Sequence, residues 1–361
     1  MPIRTIRVAY GAVVACAFVS FSSFSVAESA LTKQQQALVI EGTLARIREK
    51  YVEPNDVGTI EKALRSKAVN GEYRAASSPE AFASQIQEDL RKSSGDPHFR
   101  VEYVPGEIPP LPTSLVSPPQ TEAEHRAKMH IEAVISNNGF ARAEYLEGNV
   151  GLLELTKVSE PAMLAETAAA AMSFVKDTNS LIVDLRRNRG GVPDGVAHML
   201  SYFVEGRRHA FDLAAKDPKE TLEYFTDPEI PGPRYANDRQ VFVLTSSETF
   251  SGGEALVDGL RTLRHAKIIG ERTKGGANAT LPMKATEHFI IAVPFLKTVN
   301  AATGKNWNDV GIEPDVTASA DSAQEVAYQL ALKYNIETTK SDAWREHLKV
   351  LLNRRQSHLL H

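Results

Sequence analysis

The residue types best placed to do chemistry lie at positions 240–254, QVFVLTSSETFSGGE, where an apolar run breaks into small polar residues and then resumes at helical spacing. Residues 241–244 read as a buried strand. Beyond the break, Leu256, Leu260 and Leu263 recur at steps of four and three, the period of a helix with one apolar face. Ser251 falls at the start of that helix. A hydroxyl there is exposed at the end of a sheet, and the unpaired amides of Gly252 and Gly253 can face an anion forming on a bound carbonyl. Strand, sharp turn and helix in this order are how a serine nucleophile is usually presented. The same residues also fit a plain helix cap by Thr249 or Ser251. Glu254, one turn on, is either a catalytic carboxylate or an acid favoured by the helix dipole.

Residues 180–191, SLIVDLRRNRGG, repeat the pattern: an apolar strand, a glycine-bearing loop, then Val196, Leu200 and Phe203 at helical spacing. Two strand–loop–helix units thus aim their loops at a common edge. Ligands of α/β sheets gather outside the carboxyl ends of the strands, so Gly190 or Gly191 could offer a backbone N–H opposite Ser251. Adjacent glycines also let backbone approach a substrate closely.

Four segments carry a family resemblance: DLRRNRGG at 184–191, LTSSETFSGGE at 244–254, GERTKGGAN at 270–278 and NWNDVGIEPD at 306–315. Together they resemble the tail-specific (C-terminal processing) peptidase family. Within it they are most similar to the branch of tricorn protease and of the repeats of interphotoreceptor retinoid-binding protein. The resemblance implies an α/β fold with a ClpP/crotonase-like β/α spiral core and a small N-terminal helical domain. It implies a serine peptidase that acts through an acyl-enzyme on Ser251, with an oxyanion hole at Gly252 and at Gly190 or Gly191, and no cofactor or metal. The branch carries Asp-x-His where this chain has Asp96-Pro97-His98, and its histidine is the general base; an imidazole titrates near 6.5 and can take a seryl proton at neutral pH.

Two departures from the family pattern bear on the site. The bacterial processing branch uses a lysine of the 271–278 loop as base, but Gly276 stands at that position. Lys274, two residues earlier, is the alternative base; it would need desolvation to serve, and otherwise reads as a solvated loop charge. Relatives of the retinoid-binding branch carry Trp-Glu where this chain has Trp307-Asn308, followed by Asp309. A carboxylate at Asp309 would stabilise the imidazolium, whereas Asn308 can orient the ring without neutralising it. The retinoid-binding repeats leave open a second function, a non-catalytic module for small apolar ligands.

The elements that must hold these residues follow from pattern. Residues 1–27 read as a secretory signal peptide: Arg4 and Arg7, an apolar run to Phe24, then the small-x-small site Ser25-Val26-Ala27. An uncleaved anchor and lipidation at Cys16 are the alternatives. The export signal implies a periplasmic or secreted protein that keeps no stable membrane insertion once cleaved. Cys16 is the single cysteine, so cleavage removes any disulfide, thiol catalysis or thiolate metal site. Taking Arg4 and Arg7 from the 41 basic residues leaves 39 against 45 acidic ones. That mild acidity and the lack of a basic block argue against nucleic acid. The expected partner is a peptide or unfolded protein substrate, and the oligomeric state is open.

A helical domain is expected over 28–104, with Ile40, Leu44, Ile47 and Tyr51 on one helix, Val57, Ile60 and Leu64 on a second, and Phe82, Ile86 and Leu90 on a third that starts at Ser78-Pro79. A stiff linker follows at 105–121, with six prolines between Pro105 and Pro119. The peptidase core is expected over 122–335. It opens with a helix through Ala127, Ile131, Val134 and Ile135, and a hairpin of strands 140–145 and 150–155 joined by Glu147-Gly148-Asn149. A helix over Pro161–Val175 then leads to the strand of Leu181. Residues 207–239, polar and punctuated by proline, read as a surface excursion. A helix through Trp344, Leu348 and Leu351 and a basic tail close the chain at 336–361.

Overall fold

The computed structural model describes residues 30–111, 130, 131 and 133–357. The expected signal peptide, the linker from residue 112 onward, Ala127 and the last four residues lie outside the described residues.

Three helices come first: α1 (Lys33–Lys50), α2 (Val57–Asn70) and α3 (Pro79–Ser94). Each end is set by local chemistry. Thr32 and Gln35 form a reciprocal capping box on α1. Ser78 accepts from the Ala81 amide at 3.2 Å with Pro79 in the first turn of α3, and Gly95 at φ 74° closes that helix. Strand β1 (Arg100–Tyr103) follows five residues later.

After a short helical turn at 133–135 come β2 (Phe140–Leu146), β3 (Val150–Leu155), α4 (Pro161–Val175), β4 (Ser180–Asp184) and α5 (Pro193–Ser201). Then follow β5 (His209–Ala215), β6 (Leu222–Phe225), β7 (Gln240–Thr245), α6 (Gly252–Arg264) and β8 (Lys267–Gly270). The chain ends with β9 (Asn278–Lys284), β10 (Phe289–Asn300), β11 (Val316–Thr317), α7 (Ala323–Thr338) and α8 (Asp342–Ser357).

Six strands form the central sheet in the order β11-β8-β7-β4-β3-β2, parallel throughout except for the edge pair β2–β3. A parallel sheet is covered on both faces, so its strands are apolar without alternation. Every residue of β3 and β4 is buried. Leu181 and Val183 join the core beneath α4, α5 and α6, while Ile182 between them faces the layer of α7 and α8. The β2–β3 turn puts Gly148 and Asn149 at positive φ, as a tight hairpin requires.

A second sheet runs β1-β10-β5-β6, with β9 on the other side of β10. Its long strand β10 pairs through Phe289–Ala292 with β1 and through Leu296–Asn300 with β5. Helices α1–α3 do not close a core of their own: Phe289, Ile291 and Val293 of β10 complete it, packed with Ile40, Leu44, Phe82, Ile86 and Phe99.

One expectation needs correction. Residues 207–239 are not a surface excursion, because β5 and β6 lie in this sheet and Phe211, Leu213 and Tyr235 are buried. Most polar residues of that stretch lie in the connections on either side of these two strands. The described residues around 131, 134 and 135 are helical as expected, and those three side chains are 58, 64 and 80 % exposed. Among the described residues no helix is long and apolar enough to cross a membrane.

Candidate active site

Ser251 stands between β7 and α6 at φ 54°, ψ −122°. Residues with a Cβ seldom adopt such a backbone, and it persists only where the surroundings over-determine it. Here they do. The Phe250 amide donates to the Asn188 carbonyl at 3.0 Å, the Phe250 carbonyl accepts from Gly253 at 3.0 Å, and the Ser251 amide donates to Glu254 Oε2 at 2.8 Å.

Glu254 is fully buried and accepts three more hydrogen bonds, from Thr273 Oγ1 (2.5 Å) and the amides of Gly275 (2.7 Å) and Gly276 (2.8 Å). Burial pushes its carboxyl above the usual range, against the pull of those four donors. Its geometry is that of a clamp tying the serine turn to the 273–276 loop.

The loop after β4 packs against the same turn. Gly190 has φ 111°, and a Cβ on it would sit 3.0 Å from Ser251 Cβ, so only glycine allows this approach. Asn188 is buried and spans the loop, donating to the Leu155 carbonyl at 3.1 Å and accepting from the Gly190 amide at 2.9 Å. Of the glycine amides considered from sequence, those of Gly190 and Gly253 are therefore engaged. Those of Gly191 and Gly252 have no acceptor among the described residues. The two residues adjoin, since a Cβ on Gly252 would lie 2.9 Å from the Gly191 nitrogen.

His98 comes from the N-terminal part of the chain. It lies between the Gly95 cap of α3 and β1, both fixed, and its side chain is 9 % exposed. Asp96 Oδ1 accepts from both the His98 amide and ring Nδ1 at 2.9 Å. Asp96 itself is 1 % exposed, and its Oδ2 accepts from Asn278 Nδ2 at 2.6 Å. With Nδ1–H committed to a carboxylate, Nε2 carries the lone pair, the tautomer that a general base needs. Nε2 is buried and has no partner. The imidazole stacks on the ring of Phe250, next to Ser251, at 5.3 Å between centroids and 24° between planes.

The remaining candidates lie around this pair in lesser positions. Lys274 is exposed, its Nζ 5.2 Å from the Phe250 ring centroid, and its amide donates to Thr249. Asn308 Oδ1 accepts from the Ala277 amide at 3.1 Å, and the Asp309 amide donates to Gly275 at 2.9 Å, so both fasten the 275–277 loop. Burial of its carboxylate, reinforced by the charge of Asp96, pushes Asp309 up to about 6.

The carboxylate that hydrogen-bonds the imidazole is thus Asp96. Its signal in the sequence was the two-residue spacing to His98, which suits an aspartate accepting from the amide two positions on. Asn188 and Phe250 carried no comparable signal.

Residues 149–318 match the model of peptidase family S41, and residues 24–137 match that of the N-terminal domain of this family in eukaryotic IRBP. A "Probable CtpA-like serine protease" of Staphylococcus haemolyticus is 23 % identical over 204 residues, covering 56 % of this chain and 38 % of the relative. One of Staphylococcus epidermidis is 23 % identical over 180 residues, covering 50 % and 36 %. The chain therefore spans well under half the length of these curated relatives. Among solved structures, the fold is similar to that of "a putative peptidase from Parabacteroides merdae", with a TM-score of 0.55 at 16 % identity over 85 % of this chain and 98 % of that one. It is likewise similar to "a lipoprotein from Streptococcus agalactiae", with a TM-score of 0.52 at 15 % identity over 84 % and 97 %.

Proposed function

This chain belongs to peptidase family S41, and on that premise we propose that it is a serine peptidase hydrolysing peptide bonds of unfolded or partly degraded proteins outside the cytoplasm. The observation that carries the reading is the strained serine: φ 54° at the head of a helix, held by a buried glutamate and abutted by Gly190. A carrier of small apolar ligands has no use for backbone strain at a hydroxyl, whereas a nucleophile gains exposure from it.

In the proposed reaction His98 Nε2 takes the Ser251 proton as Oγ attacks the scissile carbonyl carbon. The oxyanion that forms is held by the amides of Gly191 and Gly252 at the α6 N-terminus. Asp96 keeps the ring in its tautomer and stabilises the imidazolium, as the carboxylate does in a Ser-His-Asp triad. The imidazolium then protonates the leaving amine, the C–N bond breaks, and a water activated by His98 releases the acyl group. Lys274 lies exposed to water, without the desolvation that a lysine base needs. The sequence at 1–27 supports export and cleavage after Ala27.

The test is fluorophosphonate labelling and casein hydrolysis by Ser251→Ala, His98→Ala and Lys274→Ala variants. Ser251→Ala should abolish labelling and lower turnover about a thousandfold or more. His98→Ala should be nearly as damaging and Lys274→Ala mild. Full activity in Ser251→Ala would overturn the reading.

A further inference from the structure

The Phe250 ring meets three groups that no other side chain brings together. The His98 imidazole stacks on it at 5.3 Å, the Lys274 ammonium lies 5.2 Å from its centroid, and it closes over Gly276, where a Cβ would fall 1.9 Å from Cε2 and 2.5 Å from Cζ. A side chain at 276 and an aromatic ring at 250 therefore exclude one another. The Phe250 backbone is fixed at both its amide and its carbonyl, so a methyl added at 276 is met by rotation of the ring and not by movement of the turn.

The hydrogen bond from Nδ1 to Asp96 sets the direction of the imidazole but leaves the ring free to swing about that axis. Nε2, buried and unpartnered, offers no second anchor. A flat aromatic face supplies it, because parallel contact fixes the plane of the imidazole. The same face interacts favourably with a cation, hence with the imidazolium formed when the seryl proton is taken.

We propose that Phe250 is a positioning residue for His98: its ring sets the imidazole plane so that Nε2 addresses the Ser251 hydroxyl, and the absence of a side chain at Gly276 is what leaves the ring room to do so. This rests on the serine–histidine reading of the site.

The test compares Phe250→Leu, Gly276→Ala, the double variant and His98→Ala by casein kinetics and by the rate of fluorophosphonate labelling. Phe250→Leu keeps the apolar volume and removes the flat face. Gly276→Ala keeps the ring and pushes it aside, without backbone strain because Gly276 is not at positive φ. Circular dichroism and melting temperature check that each variant folds, and either single variant suffices if the other does not.

Each single variant should lose on the order of tenfold to a hundredfold in kcat and in labelling rate, with KM unchanged, as expected for a misaligned base rather than a damaged binding surface. The double variant should be no worse than the weaker single one, since both act on one ring. An inactive His98→Ala beside fully active Phe250→Leu and Gly276→Ala would overturn the inference alone, as would losses that multiply in the double variant. A fully active His98→Ala would overturn the serine–histidine reading and the inference with it.

Discussion

Three carboxylates within the site region have been given different work by their surroundings. Asp96, 1 % exposed, faces the imidazole; Glu254, fully buried, faces backbone amides; Asp309 is exposed as a residue, but its carboxylate lies against the Gly95 turn and within the field of Asp96. Asp309 yields a prediction with a definite sign. Its carboxyl titrates near 4 in the unfolded chain and at about 6 in the folded one, so between those values the folded state binds more protons. Stability is therefore lost as pH rises through that window, and the penalty is complete above about 6. Asp309→Asn, which cannot ionise, should melt at a higher temperature than the parent at pH 7.5, and the difference should shrink toward zero by pH 4.5. A difference of equal size at both values would show that ionisation of Asp309 is not its origin.

At the scale of elements, the site is a meeting of loops. The β4–α5 loop brings Gly190 and Asn188, the β7–α6 turn brings Phe250 and Ser251, and the 273–276 loop closes on Glu254. The α3–β1 turn adds Asp96 and His98. Each loop is anchored by a neighbour more than by its own residues, which is how a strained turn is kept. Gly190→Ala tests that dependence. The added methyl would meet Ser251 Cβ at 3.0 Å on a backbone at φ 111°, so the turn must shift. The expected result is loss of peptidase activity together with a fall in stability of about 1–3 kcal/mol, the cost of a residue forced into that region. Urea unfolding and casein assays separate this from Lys274→Ala, which should show neither. Wild-type activity in Gly190→Ala would mean that the approach of this loop is incidental.

Across the whole molecule, His98 and Ser251, the proposed base and nucleophile, belong to layers joined by β10. His98 follows a helix whose core is completed by Phe289, Ile291 and Val293, and the other half of β10 pairs with β5 beside the spiral. A helical unit that shares its core should not unfold alone. Phe289 is 3 % exposed and its ring contacts those of Phe82 (6.2 Å) and Tyr103 (5.2 Å). Phe289→Ala should cost about 3–5 kcal/mol and leave a single cooperative transition, with helical and tryptophan signals changing together. Two separated transitions in the parent protein would show that the helices form an independent domain.

The sequence by itself determined the local elements and the setting of Ser251. Helices α1–α3 and the Ser78 and Gly95 ends of α3 followed from spacing and capping residues. The largely apolar strands β3 and β4 and the glycine-rich turns around Ser251 were legible because each depends on residues a few positions apart. Strands β5 and β6 were not legible, since β5 is held by β10, some 80 residues further along the chain, and β6 is held in turn by β5. The exposed face at 131, 134 and 135 shows the converse: helical spacing names a face without saying that anything covers it. Only the tertiary structure decided that Asp96 and not Asp309 meets the imidazole, and that Gly191 rather than Gly190 keeps a free amide. It also decided that an aromatic ring from the serine's own turn lies against a histidine 152 residues away in the chain. Periodicity reports which residues share a face, whereas a catalytic set is a matter of which faces meet, and that is fixed by packing between elements distant in the chain.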